Sequence, residues 1–419
     1  MNLKLLIVFS FFSLINNNSY SQNLRYYIGF IDSTKKEATI DFELINNLIV
    51  IPVLVNNSDT LHFILDSGIK TTIITSLKGD MRFYIANVKT LNGLGSETPL
   101  NAIHTYRNKI NIGGKIEMTL QDIFVLEVDK FHLSRKMGTE INGLIGSAIF
   151  NNFVVKINYD KKQITFYNPK KFKAQRYRRW TEYPIDVFNE KPYINIMVTM
   201  CNNVSFRATL LIDLGASDAL WLFPESNKFI GFDTTRRRYY VGQGLNGDIF
   251  GYLETNGKIY LDKSIIIKDI VYTMPDTAYL KVKEGYDISG RNGLIGSEII
   301  RRFNIILDYP HKRIYLKKNS HFKDEFYSDL SGMEIETPYP GLPIFKVFMV
   351  QYGSPADSAG IKPGDQILKI NHSRASWLDM NEITRIFKSK EGKKLKLILN
   401  RDGKEIETEL ILREYKLSN

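Results

Sequence analysis

The chain of 419 residues has a single cysteine, Cys201, so it can form no internal disulfide and no cysteine-based zinc site. Stability must come from packing. Six histidines are scattered, and no two stand at the i, i+4 spacing of a helical metal site. No metal and no cofactor is expected. Beyond the first residues no apolar run is long enough to cross a bilayer, which argues against an integral membrane protein. Gly242-Gln243-Gly244 lacks the further glycine of a dinucleotide loop, and no βαβ pattern surrounds it. No serine lies in a nucleophile-elbow sequence, and Ser217 with His62 makes no credible catalytic pair.

Negative charge is also short. Lys and Arg number 56 against 45 Asp and Glu, a net +11. The cations are mostly dispersed, so nucleic acid is not expected as a partner. Two clusters stand out: Lys170, Lys171, Lys173, Arg176, Arg178 and Arg179, and the run Arg236-Arg237-Arg238. Both read as solvated loops, with attraction to an anionic envelope surface as the alternative.

What is present leans to β structure, because Val, Ile, Tyr and Phe dominate the apolar runs. The N-terminus reads as a secretion signal over residues 1–21. A basic start at Met1 to Lys4 precedes an apolar stretch from Leu5 to Ile15, and Ser19-Tyr20-Ser21 offers small residues before a cut. The expected location is exported, periplasmic or extracellular, with cell-envelope association as an option. Residues 22–47 fit a propeptide or an extra strand equally well.

The hexapeptide Asn-Gly-Leu-Ile-Gly-Ser occurs twice, at Asn142 to Ser147 and at Asn292 to Ser297. Each copy lies just under eighty residues after an apolar-Asp-x-Gly step, Leu65-Asp66-Ser67-Gly68 and Ile212-Asp213-Leu214-Gly215. Strands expected at 49–55 and 61–65 are repeated at 193–200 and 208–212. Each hexapeptide is followed by a short helical segment and a hairpin. Pro52 suggests an edge position for the first strand. Such a duplication indicates two similar units, 22–172 and 173–325, meeting in the basic, aromatic segment 168–180. Each offers one carboxylate on a tight turn, and the glycine after it permits a positive φ. Two carboxylates within reach of each other share one proton, which is a basis for general acid–base hydrolysis.

On these residues the chain resembles a bilobal aspartic protease of the pepsin and retropepsin kind over about 49–318. The resemblance implies two pseudo-symmetric β-barrel lobes, with Asp66 and Asp213 as a catalytic dyad and a peptide or protein substrate in the cleft between them. It makes Ser67, Gly68, Gly215, Gly146 and Gly296 the support of the active-site turns. Glycine-rich hairpins at Gly93 and Gly95, and at Gly242 and Gly244, follow their aspartates by 27 and 29 residues and would be flaps over the cleft. Leu214 departs from the family's Thr or Ser. Ile69 and Ala216 lack hydroxyls that pepsin-like relatives often direct at the carboxylates, which implies a milder pH optimum.

The C-terminal segment 332–416 has a different character. Gly353-Ser354-Pro355-Ala356, Ala359 to Asp365 and Ile367 to Asn371 resemble a PDZ domain of bacterial envelope proteases. The resemblance implies an α+β module that takes a peptide, with Gly341, Leu342 and Ile344 at the carboxylate-binding loop; Pro343 removes one donor from that loop. The function expected from the whole is an exported aspartic endopeptidase with a PDZ tail. The alternative is a catalytically inactive, protease-like peptide-binding protein of the envelope.

Overall fold

The computed structural model describes residues 25–414 except 79–80, 92, 94–99, 127–131, 232–238, 245–246 and 277–289. The expected signal, Gly95 and Arg236-Arg237-Arg238 lie outside the described residues. Strand accounts for 50% and helix for 11%, so the fold is mainly β, with barrel-like sheets. Helical periodicity is confined to short stretches. Met380–Phe387 is the clearest, burying Met380, Ile383 and Phe387 behind a capping box of Asp379 and Glu382. Trp377, which shares their spacing, lies ahead of that helix and is exposed.

Two sheets repeat one arrangement. In the first, Leu61–Leu65 runs parallel to Gly143–Ile145, which is antiparallel to Thr72–Ile74. In the second, Ser205–Ile212 runs parallel to Gly293–Ile295, which is antiparallel to Leu220–Leu222. In both, the chain leaves the first strand through an aspartate turn and later returns to fill the gap it left. Register aligns Ile145 with Leu65 and Ile295 with Ile212. The N–H of Asp66 then donates to Ile145 O and that of Asp213 to Ile295 O, each at 2.9 Å.

A six-stranded sheet joins the halves. At its middle Val154–Asn158 pairs antiparallel with Phe303–Asp308, aligning Val155 with Leu307 and Ile157 with Ile305. The Asn304 carboxamide crosses the seam, accepting from Tyr159 N–H at 2.8 Å and donating to Asp160 at 2.7 Å. The inner face of this sheet belongs to one large core that includes Ile49, Phe63, Phe150, Leu210 and Leu214.

Leu48–Val55 is not the edge strand that Pro52 suggested. It pairs with Leu61–Leu65 on one side and with Glu43–Ile45 and then Leu100–Ile112 on the other. Pro52 is tolerated because its nitrogen faces the place where the second partner changes; its carbonyl, on the same side, accepts from Gly113 N–H at 3.0 Å.

The C-terminal module has a sheet of its own, built on Met333–Glu336, Phe345–Val350, Gln366–Ile370, Lys394–Arg401 and Lys404–Ile411. Its core of Phe345, Val347, Ile367, Ile383 and Leu397 is separate from the main one. Among the described residues, no helix is long and apolar enough to cross a membrane.

Candidate functional site

The repeated hexapeptide has the same local work in both halves. Asn142 donates its N–H to His62 O at 2.8 Å and accepts His62 N–H on its side-chain oxygen at 2.9 Å. Asn292 does the same with Thr209, at 2.8 and 2.9 Å. A side-chain amide here extends the ladder by one link, which explains the residue type. The glycines answer to space. A Cβ on Gly143 would stand 2.2 Å from Ile73 O, and one on Gly293 would stand 1.8 Å from Trp221 O. For Gly146 and Gly296 the corresponding distances are 2.5 Å to Ile69 O and 2.1 Å to Asp218 O. Backbone passes where a side chain would be, so no other residue fits.

The same holds at the aspartate turns, for a more telling reason. Gly68 N–H donates to Asp66 Oδ1 at 2.6 Å, and Gly215 N–H to Asp213 Oδ1 at 2.9 Å. Neither glycine adopts a positive φ, contrary to the expectation that conformational freedom selects them. A Cβ on Gly215 would instead fall 2.3 Å from the Asp66 carboxyl carbon, and one on Gly68 would fall 2.8 Å from both Asp213 oxygens. Each carboxyl lies against the glycine of the opposite turn, and the two are hydrogen-bonded to each other.

The turns differ at the next residue. Ser67 is fully buried; its hydroxyl donates to Ile212 O at 2.7 Å and accepts Leu214 N–H at 3.0 Å. One side chain therefore ties both turns together. Leu214 returns no such bond and is itself fully buried in the main core, so it does not plug the cleft. Ser147 Oγ lies 3.0 Å from Lys70 O and 2.8 Å from Glu190 Oε2, while Ser297 Oγ donates to Leu214 O at 3.0 Å.

Burial raises both carboxyls above their ordinary range, Asp66 to about 8. For Asp66 the neighbouring Asp213 adds to the rise, whereas the hydrogen bond from Asp66 favours the ionised form of Asp213. Both shifts favour proton uptake, and the titration belongs to the pair and not to either carboxyl alone.

Three neighbours escaped the sequence reading. Lys191, at the start of Lys191–Thr199, lowers both carboxyl pKa values by its charge. Arg291 acts likewise on Asp213; it is 5% exposed, lies over the Phe223 ring at 5.2 Å, and its Nε has no hydrogen-bond partner among the described residues. A signal for it was available, because Arg291 precedes the second hexapeptide where a fully buried Ile141 precedes the first. Tyr309 stacks on Phe150 at 5.3 Å with its hydroxyl buried and unpartnered among the described residues. Burial, and then the two aspartates, hold that hydroxyl in its neutral form.

The second glycine-rich hairpin, Tyr239–Gly244 with Gly247–Tyr260, includes Gly242 at φ +147°. It is tethered. Lys136, on the short helix Leu133–Met137, donates to Gln243 Oε1 at 2.6 Å and to Tyr240 OH at 3.2 Å. Its ammonium also lies 5.6 Å from the Phe348 ring of the C-terminal module. In the first half, Tyr84–Leu91 pairs with Leu100–Ile112, and Gly93 is buried just beyond the first of these strands.

The C-terminal module docks on the same helix. Thr337 N–H donates to Arg135 O at 2.8 Å, Gly341 N–H to Gly138 O at 3.0 Å, and Asn46 N–H to Asn381 Oδ1 at 2.7 Å. Arg135 also pairs with Glu336. A cavity of 410 Å³ lies between the module's loop at Gly341, Leu342 and Pro343, its helix start at Met380, and the first half at Leu44 and Met137. The donors expected to hold a peptide carboxylate are taken: Leu342 N–H bonds Tyr339 O at 3.0 Å, Ile344 N–H bonds Leu342 O at 2.8 Å, and Gly341 is bound as above.

Residues 328–412 match the family model of the PDZ domain. The C-terminal module is a PDZ domain. The chain is also similar to the carboxy-terminal processing protease CtpA of Bacillus subtilis (strain 168), with 29% identity over 153 residues, which is 36% of this chain and 33% of that protein. The match therefore spans about a third of that relative's length. It corrects the expectation of an aspartic endopeptidase: the relative is a carboxy-terminal processing protease. The resemblance misled because a duplicated Asp-x-Gly turn with its glycine support defines a site geometry, and geometry recurs across activities.

Proposed function

We propose that the chain is a PDZ-bearing, protease-like hydrolase and that the coupled carboxyls of Asp66 and Asp213 belong to its functional site. The reaction class comes from the relative and the residues from the geometry. The observation that carries the assignment is the reciprocal seating of each carboxyl against the opposite glycine, Asp66 on Gly215 and Asp213 on Gly68. Carboxyls whose titration is coupled can take up and release a proton, which suits them to general acid–base work. Units 22–172 and 173–325 would form the walls of the substrate cleft. The hairpins at Gly93 and Gly242 would hold the substrate as an added strand. The secretion signal read in residues 1–21 supports work outside the cytoplasm.

The test compares hydrolysis of a peptide library by the wild type, Asp66→Asn and Asp213→Asn, with folding checked by circular dichroism. Each substitution is expected to lower the rate by about 10²–10⁴-fold, the range of a lost acid–base group. Wild-type rates in both Asn variants would falsify the assignment of the carboxyl pair.

A further inference from the structure

We propose that the outer face of the six-stranded sheet, with the segment 168–180 that covers it, docks on the phosphate headgroups of an anionic phospholipid bilayer. The sheet sorts its side chains by parity. Val155, Ile157 and Leu307 point into the main core, whereas Val154, Tyr167, Ile306 and Tyr315 point outward and pack with Phe172, Tyr177 and Trp180 of the covering segment.

The segment is therefore anchored. Asn168 N–H donates to Lys36 O at 3.0 Å and Phe172 N–H to Asn168 O at 3.0 Å. The Tyr167 and Tyr177 hydroxyls meet at 2.8 Å, and the Phe172 and Tyr177 rings stack at 5.7 Å. The cations of this stretch, read from the sequence as a solvated loop, stand on a fixed aromatic platform.

Their balance is lopsided. A pocket of 470 Å³ on this face is lined by Lys35, Lys36, Lys171, Lys173 and Arg176 against one carboxylate, Glu37. The contacts Arg176–Glu37 and Lys35–Asp32, at 4.0 Å each, are the limit of an ion pair. Lys36, Lys171 and Lys173 form none among the described residues, and all three are exposed. Like charges gathered without partners raise the local potential and favour an anion.

Lipid headgroups fit better than one small anion. Exposed Lys170, Arg178 and Arg179 extend the charge beyond the pocket, so the cations spread over a surface and do not converge on a point. The apolar stems of Lys and Arg let such a surface meet an interface between apolar and charged layers. The geometry also keeps the cleft free. Tyr309, whose hydroxyl feels both carboxylates, packs on the inner side of the sheet, so a bilayer on the outer side leaves the carboxyl pair facing away.

The test is cosedimentation of the full chain with phosphatidylcholine vesicles, with and without phosphatidylglycerol, at low and high salt. Binding is expected only with phosphatidylglycerol, and salt should release it as screening shortens the reach of the charges. The triple variant Lys171→Glu, Lys173→Glu, Arg176→Glu should bind about a hundredfold more weakly or worse, from about fivefold per cation near an anionic surface. A control of equal net charge, Lys263→Glu, Lys268→Glu, Lys396→Glu, should keep most of the affinity. Equal losses in both triple variants would show a general charge effect and overturn the site. So would tight binding of inorganic phosphate or double-stranded DNA with no binding to the vesicles. Matching thermal unfolding of both variants and the wild type guards against misfolding.

Discussion

The turn at Asp66 and the turn at Asp213 reach the same geometry with different means. Both aspartates take an N–H bond from the glycine two residues on, and both strands end in register with the hexapeptide strand. Between aspartate and glycine, however, the first turn uses a buried hydroxyl and the second a buried leucine. Ser67 supplies two hydrogen bonds across the halves; Leu214 supplies core volume and one backbone N–H for Ser67 to receive. A symmetric constellation can therefore rest on asymmetric support, provided one side chain spans the junction.

The most severe way to break the comparison is to attack what the halves share. Gly143→Ala and Gly293→Ala place a methyl 2.2 and 1.8 Å from a carbonyl oxygen, and both contacts are with backbone that cannot step aside. Each is expected to cost about 3 kcal/mol or more, with Gly293→Ala the worse, read as lost soluble expression or a collapsed melting temperature. A melting curve like the wild type's for Gly293→Ala would refute the packing account.

Next come the residues in which the halves differ. Leu214→Ala should cost about 2–5 kcal/mol, as for a buried leucine. Ser67→Ala should cost about 1–3 kcal/mol by leaving Ile212 O and Leu214 N–H unpaired in the interior. Urea unfolding of the two variants checks the order. A larger loss for Ser67→Ala would mean that the junction, and not the core, dominates the stability of the site.

The smallest effect sharpens the electrostatics. The folded pKa of Asp66 is raised, so its contribution to stability is complete below the unfolded value of about 3.9 and is lost as pH rises through the folded value. Asn at position 66 cannot ionise and escapes that loss. The melting temperature of Asp66→Asn minus that of the wild type should thus grow from about pH 4 upward. A difference that stays flat or shrinks with pH would show that the carboxyl is not destabilised by burial.

Much of this was legible in the chain. The mainly β fold and the PDZ module follow from local pattern, because strand parity and turn chemistry are written at short range. The role of Gly68 and Gly215 was not, since the carboxyl each must clear belongs to a turn about 150 residues away. Lys136 could not be found either: its partners, Gln243, Tyr240 and Phe348, come from distant segments without a motif in common. The activity was misjudged because residue patterns describe a constellation, while its use depends on a substrate that no pattern names.

The seam at Val155 and Leu307 also has a consequence for synthesis. These two positions are 152 residues apart in the chain. At about 5–20 residues per second, roughly 8–30 seconds pass between the making of one strand and the making of the other. Throughout that interval Val154–Asn158 can pair with Gln163–Tyr167 on one side only, and its other side presents unpaired N–H and C=O groups on a strand that carries Val154, Val155 and Ile157. The surface that locks the finished halves together is, for the nascent chain, its most adhesive edge.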